Sequence, residues 1–135
     1  MRILLTFLML LLSCPVLAAD YVVVMSSTSS VEAMDVDKIR DIFLKKRSFE
    51  GASRVVPVNP LGSDPVRIEF EMQILSMDRD EINRYWVNNH FQGVSPPTTQ
   101  ASLQSIKRFI ETVEGAIGYL PIEMVDANLK IIHEF

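Results

Sequence analysis

This chain is poor in the residues that most often carry chemistry. It holds one cysteine, one tryptophan, two histidines and five glycines in 135 residues. The cysteine, Cys14, sits inside an apolar N-terminal run. The part that follows has none, which excludes a disulfide, a thiolate metal site and a thiol nucleophile. His90 and His133 lie far apart and show no metal-ligand spacing. Neither a Gly-x-Ser-x-Gly elbow nor a phosphate-binding P-loop is present. No acid, base and nucleophile are paired, so the sequence reads as non-enzymatic, with no metal and no cofactor. Blocks of basic residues are missing too, which argues against nucleic acid or anionic lipid as a partner. Beyond the N-terminal run, no apolar stretch is long enough for a membrane helix.

What is there begins with that run. Met1 and Arg2 give a minimal positive start, Ile3 to Leu12 are nearly all apolar, and small residues lead to Ala18 and Ala19 before Asp20. This pattern predicts a secretory signal peptide over residues 1–19, cut after Ala18 or Ala19, and a mature domain over residues 20–135. Leu11 to Cys14 also has the look of a bacterial lipobox, which would make Cys14 a lipidated N-terminus. The apolar residues continuing past Cys14 to a better small-residue site favour cleavage instead. Removing Arg2 leaves twelve of thirteen basic residues against seventeen acidic ones, a net charge of −5. The length suits one domain with a proper core.

Strands and helices alternate along the mature part. Tyr21 to Met25 is a β-branched run of strand length, followed by the hydroxyl loop Ser26 to Ser30. Asp35 is expected to cap a helix to about Lys46, with Val36, Ile39, Ile42 and Phe43 on one face. Val55 to Val58 reads as a second strand. Val66, Ile68, Phe70, Met72 and Ile74 alternate as a strand would. The polar cap at Ser63 or Asp64, with Pro65 at the first helical position, predicts a helix over 65–76 instead. Asp80 is expected to cap a helix to Asn89 and Ser102 a helix to Val113. Gly115 to Leu120 and Leu129 to His133 read as further strands. The alternation predicts an α/β fold with a mostly parallel sheet flanked by helices.

In such a sheet the loops after the strands share one edge, and ligands bind there. Two loops are rich in small polar donors: Ser26, Ser27 and Thr28 after the first strand, and Asn59, Gly62, Ser63 and Asp64 after the second. A glycine turn opening a helix aims free N–H groups and the positive end of the helix dipole at one spot, a natural anion site. The same residues also make an ordinary helix start, with Ser63 a simple cap. Asp64 opposes an anion there, because its carboxylate already answers the dipole. Arg67, one turn on, is placed to pair with Asp64 or a ligand, or to lie at the surface. Tyr85 and Trp86 offer a stacking platform or, sharing helical spacing with Ile82, part of the core.

Lys38 to Arg47, Val55 to Asn59, the helix start at Gly62 and Ser63, Tyr85 and Trp86, Phe91 to Gly93, and Gly115 to Tyr119 occur in an order that resembles the periplasmic phosphate-binding proteins of ABC transporters. The "RDIF" helix (Arg40 to Phe43) and the "GAIGY" strand (Gly115 to Tyr119) are its most specific parts. The likeness is greatest to short, stand-alone relatives that correspond to one lobe of that two-lobed type II fold. It implies a three-layer lobe, a periplasmic location and a small anion held by a Gly-Ser-Gly-Thr turn with a preceding arginine. Gly62 and Ser63 match that turn. Asp64 and Pro65 stand where glycine and threonine would be, and Asn59 stands near the place of the arginine.

Two functional expectations follow. One is an exported solute-binding-protein-like domain that recognises phosphate or another small anion, for ABC-type transport or sensing. The other is a non-enzymatic module docking on a membrane-protein partner, a sensor or transport system, with solute binding lost. Because a single lobe offers only half a clamp, a homodimer is a third way to complete the cleft.

Overall fold

The structure is a computed structural model that describes residues 19–135. The expected leader and the alternative at Cys14 lie outside the described residues.

The described residues form, in order, β1 (Tyr21–Ser26), α1 (Val36–Phe43), β2 (Phe49–Glu50), β3 (Ser53–Arg54), β4 (Val56–Asn59), α2 (Pro65–Phe70), a π-helical turn (Glu71–Leu75), α3 (Arg79–His90), β5 (Thr98–Thr99), α4 (Leu103–Thr112), β6 (Ala116–Pro121), a 3-10 turn (Ile122–Met124) and β7 (Leu129–Glu134). A five-stranded sheet has the order β5-β4-β6-β1-β7, and β2 pairs with β3 in a separate small hairpin. β4 runs parallel to both β5 and β6. β1 is antiparallel to β6 and to β7. Four strands therefore point one way and β1 alone points the other, so the sheet is mostly parallel.

Both faces of the sheet are covered, which is why the inner strands β1 and β6 read as nearly continuous apolar runs. Val23, Met25, Ile117 and Tyr119 pack on one side with Ile39, Ile42, Phe43, Val66, Phe70, Ile74 and Ile82 from α1, α2, the π turn and α3. Val22, Val24, Val58, Ala116 and Leu120 pack on the other with Ile106 and Ile110 of α4. The result is the expected three-layer lobe. Gly118 lets α4 sit this close: a Cβ there would lie 2.8 Å from the Ile110 Cδ1 atom.

Local chemistry sets the helix ends. Asp35 accepts a bond from the Lys38 amide at 2.9 Å and starts α1. That helix stops at Phe43, three residues before Lys46, because Lys45 adopts a left-handed backbone with φ of 60°. Asp78, not Asp80, caps α3, accepting from the Glu81 amide at 2.8 Å. Asp80 lies in the first turn instead, where a carboxylate still favours the dipole. The segment after Pro65 is helical as expected. Val66, Phe70 and Ile74, four apart, are buried, while Ile68 and Met72 are exposed. From Glu71 the helix widens into the π turn, which ends at Ser76 in a left-handed conformation.

Candidate functional site

The two polar loops do not share an edge. β1 runs against its neighbours, so its carboxyl end lies beside the start of β6: Met25 pairs with Ile117, and Pro57 of β4 pairs with Ile117 as well. Ser26, Ser27 and Thr28 thus sit at the edge where β4 begins, and Asn59 to Arg67 sit at the edge where it ends. The expectation of one composite site is corrected by this reversal. Ser26 and Thr28 bond each other through their hydroxyls at 2.9 Å and line an open cleft of about 730 Å³ with Ser30, Ser53 and Arg54. The Ser27 amide donates to the Asn128 carbonyl at 2.9 Å.

At the other edge each predicted residue has a defined place. Asn59 is buried and faces inward. Its Oδ1 accepts from the Tyr119 hydroxyl at 2.7 Å, and its carbonyl accepts from the Gln100 amide at 2.9 Å. Its carboxamide oxygen is engaged with the core rather than presented to a ligand. The helix cap is Asp64, whose Oδ1 accepts from the Val66 amide at 3.0 Å, followed by Pro65 at the first helical position. Ser63 is exposed. Among the described residues its hydroxyl makes no hydrogen bond, so Ser63 is not the cap.

Arg67 is no surface arginine: its side chain is 15% exposed. Its Nε donates to Glu71 Oε1 at 3.0 Å and its Nη1 to the Pro60 carbonyl at 2.8 Å. It pairs with Glu71, four residues on along the same helix face, while Asp64 is taken up as the helix cap. Arg79, at the start of α3, completes the arrangement. Its Nη2 lies 3.0 Å from the same Glu71 oxygen and donates to the Gly62 carbonyl at 2.7 Å. The guanidinium packs flat enough on Gly62 that a Cβ there would come within 3.3 Å of Nη1. Two arginines and two carboxylates, Glu71 and Asp64, therefore meet around the turn, formally neutral in sum.

Glu71, Arg79 and Tyr119 were not among the expected site residues. The spacing of Arg67 and Glu71 was the available signal for one of them. Nothing local marks Arg79, which reaches Gly62 across seventeen residues. Burial is the main cause that pushes the Tyr119 hydroxyl far above its ordinary range, so it stays a neutral donor to Asn59.

Elsewhere, Tyr85 and Trp86 are half-buried against the core of α1 to α3. The Tyr85 hydroxyl donates to the Leu44 carbonyl at 2.6 Å, and burial raises its pKa. His90 is exposed at the end of α3. It joins Trp86, Val87, Phe91 and Pro96 around a shallow apolar depression. Phe91 is 85% exposed and Val87 58%. Among the described residues no three His, Cys, Asp or Glu side chains gather as a metal site, and no helix is long and apolar enough to cross a membrane.

No family model matches the chain, and no curated protein matches it. Solved structures do. The chain is similar to a Clostridium perfringens protein described as a phosphate ABC transporter substrate-binding protein with bound phosphate, at a TM-score of 0.67 and 16% identity over 84% of this chain and 44% of that one. It is also similar to an ABC-type phosphate transport receptor from Vibrio cholerae, at a TM-score of 0.66 and 16% identity over 85% of this chain and 46% of that one. A third is PstS from Borrelia burgdorferi, at a TM-score of 0.63 and 8% identity over 84% and 46%. The chain spans less than half the length of each. The fold is that of a single lobe of these proteins.

Proposed function

We propose that this chain is an exported, periplasmic single-lobe binding module that recognises a small oxyanion such as phosphate at the Gly62–Ser63 turn, in the service of ABC-type transport or sensing. The observation that carries the reading is the convergence of Arg67 and Arg79 on this turn. It sits on a fold similar to one lobe of two solved phosphate-transport binding proteins. The arginine expected before the turn is replaced by Asn59, and Arg79 supplies a cation from another helix. Its side chain is 43% exposed, so the guanidinium is within reach of solvent. Ser63 adds an exposed hydroxyl beside it. Export rests on the leader pattern of residues 1–19. A single open lobe leaves a ligand wet, so affinity is weak unless a second copy or a partner closes the site.

The test is calorimetric titration of residues 20–135, dialysed free of phosphate, with phosphate and then sulfate. Saturable binding that is lost in Ser63→Ala and Arg79→Met supports the reading. A flat titration on folded protein removes solute recognition.

The second reading is docking on a membrane-protein sensor or transport system, with solute binding lost. It is favoured by the exposed Phe91 and Val87 beside Trp86 and Pro96, an apolar surface that a free monomer has no use for.

A further inference from the structure

We propose that Glu71 is a built-in competitor for the anion, holding Arg67 and Arg79 until a solute displaces it. The inference rests on the anion reading above and concerns how that site is regulated. Glu71 is 5% exposed, and with Asn59 it makes up the buried polar residues of the described chain. A carboxylate withdrawn from water is strongly destabilising unless it is paired. Here one oxygen, Oε1, lies 3.0 Å from Arg67 Nε and 3.0 Å from Arg79 Nη2. A guanidinium fork that accepts a carboxylate accepts a phosphate or sulfate oxygen by the same charge-assisted geometry. The carboxylate therefore occupies the point between the two cations where a small oxyanion would bind.

The coupling to the turn is direct. Each guanidinium that holds Glu71 also donates to the turn, Arg67 to the Pro60 carbonyl and Arg79 to the Gly62 carbonyl. Glu71 opens the π turn, a wide and uncommon helical form that recurs at functional sites. Its side chain is 7% exposed, held by the two arginines rather than by solvent. Arg79 is the more exposed of the two cations, so an incoming anion meets Arg79 first and must then compete with Glu71. Asp64 stands beside the same turn as a second carboxylate, its Oδ1 accepting from the Val66 amide, whereas Glu71 is the one that holds both guanidinium groups.

The experiment compares wild-type chain, Glu71→Gln, and Glu71→Gln with Arg79→Met, each titrated with phosphate and with sulfate. Glu71→Gln keeps the shape and removes the competing charge, so the expected result is binding about tenfold tighter than wild type, with the gain lost in the double variant. Equal or weaker binding by folded Glu71→Gln overturns the proposal. The two readings fail separately. Wild type that binds while Glu71→Gln gains nothing keeps the anion site and removes the competitor. Flat wild type with binding by Glu71→Gln removes the native receptor and keeps the competitor. Flat titrations of both remove both. Should Glu71→Gln not fold, the arginine Nε–H resonances of wild type decide: both shift on adding phosphate if Glu71 is displaced, and the proposal fails if Arg67 stays still.

Discussion

The Tyr119 ring lies on the Phe70 ring with centroids 3.8 Å apart and planes 4° from parallel, while its hydroxyl donates to Asn59 at 2.7 Å. This joins the middle of β6 to α2 and to the end of β4, directly beneath the candidate turn. Tyr119→Phe keeps the stack and leaves the Asn59 oxygen buried without its donor, a loss of about 1–3 kcal/mol, read by urea unfolding. The hydroxyl also predicts a pH effect. Its folded pKa is raised above the ordinary value of 10.0, so the stabilisation is complete below that pH and is lost as pH rises beyond it. Tyrosinate absorbance from Tyr119 is expected only together with unfolding, and Tyr119→Phe should remove that part of the alkaline transition.

The cap residues separate structure from binding. Asp64→Ala removes the side chain that accepts the Val66 amide and is expected to destabilise by about 1 kcal/mol. Ser63→Ala removes an exposed hydroxyl that makes no hydrogen bond among the described residues, and its melting curve should be nearly that of wild type. Thermal unfolding of the two variants checks both. A destabilised Ser63→Ala would make Ser63 a cap after all and weaken its case as a ligand.

Gly115 is the glycine whose replacement should be worst tolerated. Its φ is +77°, and a Cβ would stand 2.1 Å from the Arg54 carbonyl oxygen, against backbone that cannot swing away. Gly51, with φ of +58° and open space around it, carries the strain of the backbone alone. Gly115→Ala is expected to cost several times as much as Gly51→Ala in denaturant midpoint. Equal midpoints would mean that the β3–β6 approach relaxes freely.

Much of the fold was legible because its signals are local. Tyr21 to Met25 and Ala116 to Leu120 are apolar on both faces, Asp35 and Ser102 announce helix starts, and Pro65 overrides the alternation of Val66 to Ile74. The direction of β1 carries no local signal. It depends on β1 pairing between β6 and β7, a contact made across most of the chain. That one reversal moved Ser26, Ser27 and Thr28 away from the turn. The Arg67–Glu71–Arg79 cluster was only partly visible for a related reason. Four-residue spacing links the first pair, but Arg79 arrives through the π turn and the left-handed Ser76, which pattern alone does not foresee.

Phe91 separates surface from core at the end of α3. A phenyl ring 85% exposed has little burial to lose, so Phe91→Ser should change stability by no more than about 0.5 kcal/mol. Ile82, near the other end of α3 and 3% exposed in the α1–α3 core, should lose several times more on truncation to Ala, because the packed site cannot close around the missing carbons. The ring lines a shallow depression with Trp86, Val87, His90 and Pro96, the surface on which the docking reading rests. Sedimentation at rising concentration should therefore show any self-association of wild type weakened in Phe91→Ser. A large drop in melting temperature for Phe91→Ser would place the ring in the folding core and take this surface out of consideration as a docking face.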